Sequence, residues 1–137
     1  GWDSTSGDIE LWDSNFSGVP ASAGSVFAEL NANTPGALFQ NLCLISGEPI
    51  RWRFAHRNRS GGAATQNVTL SIANSSGTVL QTLQSSAVTS TTAWAVRSNT
   101  TGVTYSNLGW GTPGMVITNP GTSNAWFWIL RASPNAP

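Results

Sequence analysis

The sequence lacks most of the residues on which charge-driven and metal-driven functions depend. It has no lysine, and charged residues make up only 9% of its 137 residues. Six arginines balance six acidic residues, so the formal net charge at pH 7 is zero. A chain without a cationic excess lacks the electrostatic attraction to phosphate backbones on which nucleic-acid binding depends. We therefore do not expect nucleic acid as a partner.

Cysteine and histidine occur once each, as Cys43 and His56. A lone cysteine cannot form an internal disulfide, and one cysteine with one histidine is too few for a zinc site or a cysteine-based active site. Cys43 stands in an apolar run, which predicts a buried and inert thiol. No apolar run is long enough to cross a bilayer, so membrane insertion is not expected.

Polarity comes mainly from 18 serines, 15 threonines and 12 asparagines. These residues favour strands and turns over helices and are typical of extracellular β-proteins, secreted or at the cell surface. Apolar alternation recurs about every 8 to 12 residues with turn signals between, and no helical period appears. We predict one domain over residues 1–137, an all-β, jelly-roll-like antiparallel β-sandwich.

Residues 26–59 contain three alternating runs separated by turns, which predicts a three-strand unit. In the first run Phe27, Glu29 and Asn31 share a face, since successive side chains of a strand point to opposite sides. The second run, 38–45, is apolar on both faces, which predicts an inner strand covered on both sides.

The third run, 51–57, alternates aromatic residues with arginines. We expect Trp52, Phe54 and His56 to face the core, because the opposite, arginine-bearing face can only be solvated or ligand-facing.

The second half predicts a hairpin of strands 67–73 and 78–83 around a turn at 74–77. Further along, Trp94 and Val96 are the clearest inward-facing candidates. The aromatic run 126–130 is expected in the core, with a subunit-contact strip as the alternative.

Four segments carry a resemblance to a known fold: GDIELW at 7–12, VFAELNAN at 26–33, LFQNLCL at 38–44 and RWRFAHRNR at 51–59. Over about residues 1–72 the chain resembles galactose-binding-domain-like β-sandwich modules of secreted bacterial surface proteins, which are similar to carbohydrate-binding modules. The resemblance implies a non-catalytic module that binds a glycan or surface polymer, or acts in adhesion.

The chain departs from those modules at both ends, where an expected first strand and an acidic closing strand are not visible in the sequence. A partner that supplies the missing strand is one explanation, because an unpaired sheet edge invites strand addition. This keeps open an alternative function, a structural subunit of an extracellular filament or surface assembly.

Carboxylates, amides, arginine forks and tryptophan faces are the groups that sugar hydroxyls and pyranose rings need. The residues of these types on or beside the predicted strands, and therefore our predicted ligand contacts, are Glu10, Trp12, Glu29, Asn31, Arg57, Arg59 and Trp110. The alternative is an internal network in which Glu29 pairs with Arg57 or His56 to hold the sheet.

Two further hypotheses involve the acidic residues. Asp3, Asp8 and Asp13 are candidates for a calcium site, because Ca²⁺ accepts oxygen ligands from irregular loops, although a solvated acidic loop explains them as well. Glu10 and Glu29 are candidates for a glycosidase pair. Because carboxylates are scarce in this chain, we predict that it is not an enzyme and needs no cofactor.

Overall fold

The structure is a computed structural model that describes residues 1–30, 34, 36–58, 67–88, 93–104, 114–118 and 125–128, and only the backbone of 86–88, 114–118 and 125–128. Regular structure in this part of the chain consists of β-strands alone, which confirms the all-β prediction. Within the same residues there is no helix with the length and hydrophobicity needed to span a bilayer.

Ten strands follow one another along the chain. They are β1 (Asp3–Ser4), β2 (Glu10–Asp13), β3 (Val26–Leu30), β4 (Ala37–Asn41), β5 (Pro49–Asn58), β6 (Asn67–Ala73), β7 (Val79–Val88), β8 (Ala95–Gly102), β9 (Gly114–Thr118) and β10 (Ala125–Trp128).

The strands form two five-stranded sheets in which every pair is antiparallel. Sheet A has the order β1-β4-β9-β6-β7, and sheet B has the order β2-β3-β10-β5-β8. Strands that are neighbours in sequence therefore often lie in different sheets. This arrangement confirms the β-sandwich; whether a partner supplies a further strand stays a prediction.

The core lies between the sheets and uses alternate residues of each strand. Sheet A contributes Leu38, Val68, Leu70 and Ile72, and sheet B contributes Ala28, Leu30, Ile50, Trp52 and Phe54. Burying each large apolar side chain stabilises the fold by roughly 1.5 to 3 kcal/mol. With no disulfide available, this burial is the main source of stability.

The predicted three-strand unit at 26–59 is wrong in its pairing. β3 and β5 both lie in sheet B but are separated by β10, and β4 lies across the core in sheet A. The alternation of a strand fixes which residues share a face, whereas the choice of neighbour depends on β10, nearly seventy residues after β5.

Residues 38–45 also differ from their prediction. β4 ends at Asn41, and beyond it Leu42 and Leu44 stay buried while Cys43 and Ile45 are exposed. Only one side of this segment is covered, because the odd-numbered residues after Phe39 point away from the core. The prediction of a buried thiol at Cys43 is therefore wrong.

The hairpin of β6 and β7 is confirmed, and Asn74 organises its turn. The Asn74 Oδ1 atom accepts hydrogen bonds from Ser76 N at 3.1 Å, Ser76 Oγ at 2.7 Å and Thr78 N at 2.9 Å. Gly77 completes the turn with a φ of 81°, a conformation that glycine adopts without strain.

We predict that Asn74→Ala lowers the free energy of unfolding by about 1 to 2 kcal/mol, because three donors lose their shared acceptor. Asn74→Asp, which keeps the oxygen, should retain most of the stability. Ser75→Ala in the same turn is the control. Denaturant unfolding curves measure the effect, and equal midpoints for Asn74→Ala and Ser75→Ala would contradict it.

Candidate functional site

The face of sheet B that points away from the core carries most of the described site candidates. We call it the outer face. Cross-strand partners share a face, and the pairs Glu10 with Glu29 and Trp12 with Phe27 join β2 to β3. β5 adds its odd-numbered residues, and the even-numbered residues of the edge strand β8 lie beside them. The β5 and β8 members are Arg51, Arg53, Ala55, Arg57, Val96, Ser98 and Thr100.

One half of the outer face is covered by a cluster that we call the aromatic cap. Its members are Trp12, Phe16, Val19, Ala21, Phe27 and Trp94. The segment after β2 turns back over the sheet, held by hydrogen bonds that include Asn15 N to Val19 O at 2.7 Å. As a result Phe27, although it points away from the core, is only 1% exposed.

Trp94 ties the cap to the opposite edge of the sheet. It immediately precedes β8, its indole N–H donates to the Pro20 carbonyl at 2.7 Å, and its ring meets Phe27 edge-on at 5.8 Å between centroids. Trp94 therefore packs against other apolar side chains, as predicted, but it does so in the aromatic cap on the outer face and not in the main core. Val96, predicted to point inward, is 47% exposed, so that prediction is wrong.

Trp12 is built into the cap. Its ring stacks on Phe16 with centroids 3.5 Å apart and planes inclined by 13°, so one of its two faces is covered. Its indole N–H donates to Glu29 Oε2 at 2.9 Å. Trp12 therefore has less surface for stacking on a sugar than the sequence suggested, and it holds a carboxylate in place.

Glu29 is only 2% exposed, which is rare for a carboxylate. A buried charge needs strong hydrogen bonds, and the Trp12 indole provides one of them. Glu29 thus belongs to an internal network, as the alternative interpretation held, but with Trp12 as a partner. Glu10, the cross-strand neighbour of Glu29, is half-buried at the same end of the face.

Arg57 lies on the same face but not beside Glu29. By register, Trp126 of β10 stands opposite both Glu29 and Arg57, so the two backbones are separated by two strand spacings, about 10 Å. Arg57 is half-buried, whereas Arg51 and Arg53 farther along β5 are exposed. The half of the outer face that the aromatic cap leaves uncovered, which we call the open half, therefore has the arginines of β5 along it.

Three predicted contacts, Asn31, Arg59 and Trp110, lie outside the described residues, as do the side chains of the 126–130 run. The structure brings Glu10, Trp12 and Glu29 together and sets Arg57 two strands away. Sequence reasoning missed Phe16 as part of the site and left Arg51 and Arg53 unassigned. The sequence signal that could have identified Arg51 and Arg53 was the recurrence of arginine at odd positions of the run 51–57.

The calcium candidates do not converge. Asp3 lies in sheet A, where its carboxylate accepts from Ser4 N at 2.8 Å, and Asp13 lies at the end of β2 in sheet B. Among the described residues no group of three His, Cys, Asp or Glu side chains could hold a metal ion. A calcium site at Asp3, Asp8 and Asp13 thus remains a prediction that no described cluster supports.

His56 lies directly behind the outer face, in the core, as predicted. It is fully buried, and its Nε2 accepts a hydrogen bond from Arg97 Nε at 3.4 Å. Burial, and secondarily the Arg97 charge, lower the pKa of His56 from 6.5 to about 4. His56 is therefore neutral at pH 7 and packs beside Phe54, with ring centroids 5.5 Å apart.

A concavity lies on the opposite side of the molecule, over sheet A. It has a volume of about 480 Å³ and is bordered by Phe39, Asn41 and the β6–β7 turn. Its oxygen atoms at Thr5 and Asn74 already accept hydrogen bonds from the backbone. We therefore regard the outer face of sheet B as the candidate site.

Comparison with protein-family models gave no match, and neither did comparison with curated protein sequences. Solved structures do match. The CBM22-1–GH10 modules of Clostridium thermocellum xylanase 10B, complexed with xylohexaose, give a TM-score of 0.65 at 13% identity over 93% of this chain, which corresponds to 25% of that larger chain.

Two isolated modules match over most of their own length. The C-terminal family 22 carbohydrate-binding module of the same xylanase gives a TM-score of 0.64 at 17% identity over 92% of this chain and 81% of that chain. The CBM22-1 xylan-binding domain of Paenibacillus barcinonensis Xyn10C gives 0.62 at 12% identity, over 93% and 80%.

These similarities define the class of fold. The chain has a β-sandwich like that of carbohydrate-binding modules, which confirms the resemblance at the level of fold. The structural match also extends over more of the chain than the residues 1–72 in which the sequence resemblance was visible.

We predict that Trp12→Phe lowers the free energy of unfolding by about 1.5 to 3 kcal/mol. The variant keeps an aromatic ring at this position, but the buried carboxylate of Glu29 loses a hydrogen-bond donor. Trp2→Phe is the matched control, since the Trp2 indole N–H has no hydrogen bond within the described part of the chain. Combining Trp12→Phe with Glu29→Gln should recover part of the loss in a double-mutant cycle. Additive losses would contradict a direct bond.

We also predict that stability falls as the pH drops from about 6.5 toward 4. The pKa of His56 is about 4 in the folded chain and 6.5 when unfolded, so the unfolded state binds the proton first. The expected loss between pH 7 and pH 5 is roughly 2 kcal/mol. Since the chain has one histidine, His56→Gln should flatten this window; a wild-type unfolding midpoint that is constant from pH 7 to 5 would contradict the prediction.

Proposed function

We propose that this chain is an extracellular, non-catalytic carbohydrate-binding module that binds a polysaccharide on the outer face of sheet B. The observation that carries the proposal is the open half of that face, where arginines of β5 stand beside the serine and threonine of β8. Guanidinium and hydroxyl groups suit the dense hydroxyl pattern of a sugar chain. The aromatic cap forms one wall of this surface.

Similarity to solved structures supports the proposal and suggests a first ligand. The matched clostridial CBM22-1–GH10 modules were solved together as a complex with xylohexaose, and the matched Paenibacillus domain is a xylan-binding domain. In the C-terminal family 22 module of the clostridial xylanase, residues in a cleft have a role in ligand binding. Xylan is therefore the first polysaccharide to test.

Burial of the candidate acids supports a binding role over catalysis. Glu10 and Glu29 are cross-strand neighbours, with Cβ atoms expected about 5 Å apart, so their spacing alone would allow a glycosidase pair. However, Glu29 is 2% exposed and bonded to Trp12, and a nucleophile or acid must reach the glycosidic bond. Glu29 is therefore better explained as a structural residue than as one half of a catalytic pair.

The candidate residues then have different roles. Arg57 and Glu10 are proposed to contact the glycan, while Trp12 and Glu29 hold the aromatic cap that borders it. Ligand contacts by Asn31, Arg59 and Trp110 stay predictions.

The assembly alternative rests on the edge of sheet B formed by β8. Among the described strands β8 pairs with β5 alone, and six of its eight residues are exposed. Arg97 places a charge in the middle of this edge, a feature that discourages strand addition. We therefore rank a filament or surface-assembly subunit second.

Titration calorimetry with xylohexaose and soluble xylan tests the proposed function. We predict that the chain binds, and that Arg57→Ala weakens binding at least tenfold, since a charge-assisted hydrogen bond contributes about 1.5 to 3 kcal/mol. Arg97→Ala, on the opposite face of β8, is the control and should bind as wild type.

Light scattering and thermal unfolding accompany the titration. If Arg57→Ala fails to fold, Arg57 has a structural role and is not shown to contact the glycan. Absence of binding to xylan and to a wider glycan array, together with polymers in solution, would overturn the binding function in favour of the assembly.

A further inference from the structure

The positive charge of this neutral chain is unevenly distributed. Three of its six arginines, Arg51, Arg53 and Arg57, occupy one face of β5. The acids of the same face are Glu29 on β3, two strand spacings or about 10 Å away, and Glu10 on β2, three spacings or about 14 Å away. The open half of the outer face is therefore a cationic strip on a molecule with no net charge.

In the part of the chain that it describes, the structure shows no contribution of the Arg51 and Arg53 side chains to the stability of the fold. Both are exposed, and neither side chain forms a hydrogen bond or an ion pair with any described residue. They stand two residues apart on one strand, about 6.6 Å along its axis, so their like charges repel each other. An anion bound between them would relieve this repulsion.

Hydroxyl groups lie next to this pair. By register Thr100 is opposite Arg51 and Ser98 is opposite Arg53, and both β8 residues are exposed on the same face. Two arginine forks beside two hydroxyls can bind a carboxylate in bidentate fashion and hydrogen-bond the sugar hydroxyls around it. A strip without lysine favours this planar recognition over attraction to a point charge.

We infer that Arg51 and Arg53 form an anion subsite, and that the preferred ligand is an acidic polysaccharide whose sugars carry uronic-acid carboxylates. This inference rests on the proposed function and specifies its ligand class. Arg57 marks the end of the strip next to the aromatic cap, so an acidic sugar at Arg51 and Arg53 would be continuous with the rest of a chain bound across the outer face.

The test compares ligands of equal length in titration calorimetry at low salt: xylan substituted with glucuronic acid, unsubstituted xylan, and oligogalacturonate. We expect at least one acidic glycan to bind tenfold or more tightly than unsubstituted xylan. The difference should shrink at 0.3 M salt, because exposed charges are screened. Poly-glutamate, an acidic chain without sugar, and a sulfated dextran complete the series.

The double variant Arg51→Gln/Arg53→Gln should lose the preference for acidic glycans, so that acidic and unsubstituted chains bind it with equal affinity. Arg97→Gln removes the same charge from the opposite face of β8 and should keep the preference. Because Arg51 and Arg53 are exposed and unbonded within the described residues, the double variant should unfold at the wild-type temperature.

Other outcomes would overturn the inference. Equal affinity for substituted and unsubstituted xylan would reject the anion subsite and leave the proposed function standing, whereas binding to no glycan would reject both. Poly-glutamate binding as tightly as oligogalacturonate would reject glycan recognition at the strip. Sulfated dextran binding more tightly than the uronic-acid chains would reject carboxylate as the recognised group.

Discussion

The two-sided character of strand β5 is the constraint on which the rest of the structure depends. Its even-numbered residues Trp52, Phe54 and His56 are buried in the core, and its odd-numbered arginines point outward. Because the side-chain period of a strand is two, a register slip of one residue would bury the arginines and expose the aromatic rings. The hydrophobic effect thus fixes the register of β5, and the register in turn fixes where the positive charges stand.

The outer face of sheet B divides into two halves because the aromatic cap covers one of them and contributes to the stability of the fold. The segment after β2 covers Phe27, and Trp94 reaches from the far edge to hold it. The buried carboxylate of Glu29 in this half accepts a hydrogen bond from the Trp12 indole, which offsets part of the cost of burying it. The aromatic residues that a sequence-based search would assign to sugar stacking therefore include some whose faces and N–H groups are already engaged.

Sequence alone predicted well which residues of a strand share a face, and predicted poorly which strands pair with each other. The alternation at 51–57 gave the core residues, and the Asn74 to Gly77 turn gave the β6–β7 hairpin, because both are local properties. The pairing of β3 and β5 with β10 depends on residues far away in the chain. Exposure of Cys43 was missed, and burial of Glu29 in an internal network was predicted as the alternative, since whether a side chain is covered depends on distant parts of the chain as well as on local alternation.

A net charge of zero excludes a partner only when the charges are evenly mixed. In this chain six arginines balance six acids, yet Arg51 and Arg53 stand on a face whose described acids are at least two strands away. At about 10 Å, exposed charges are already largely screened from one another at physiological ionic strength, so the distant acids do little to neutralise the strip. The composition still argues against long phosphate backbones, which need extended positive surfaces. It leaves room for a ligand whose acidic groups are few and are separated by neutral sugar hydroxyls.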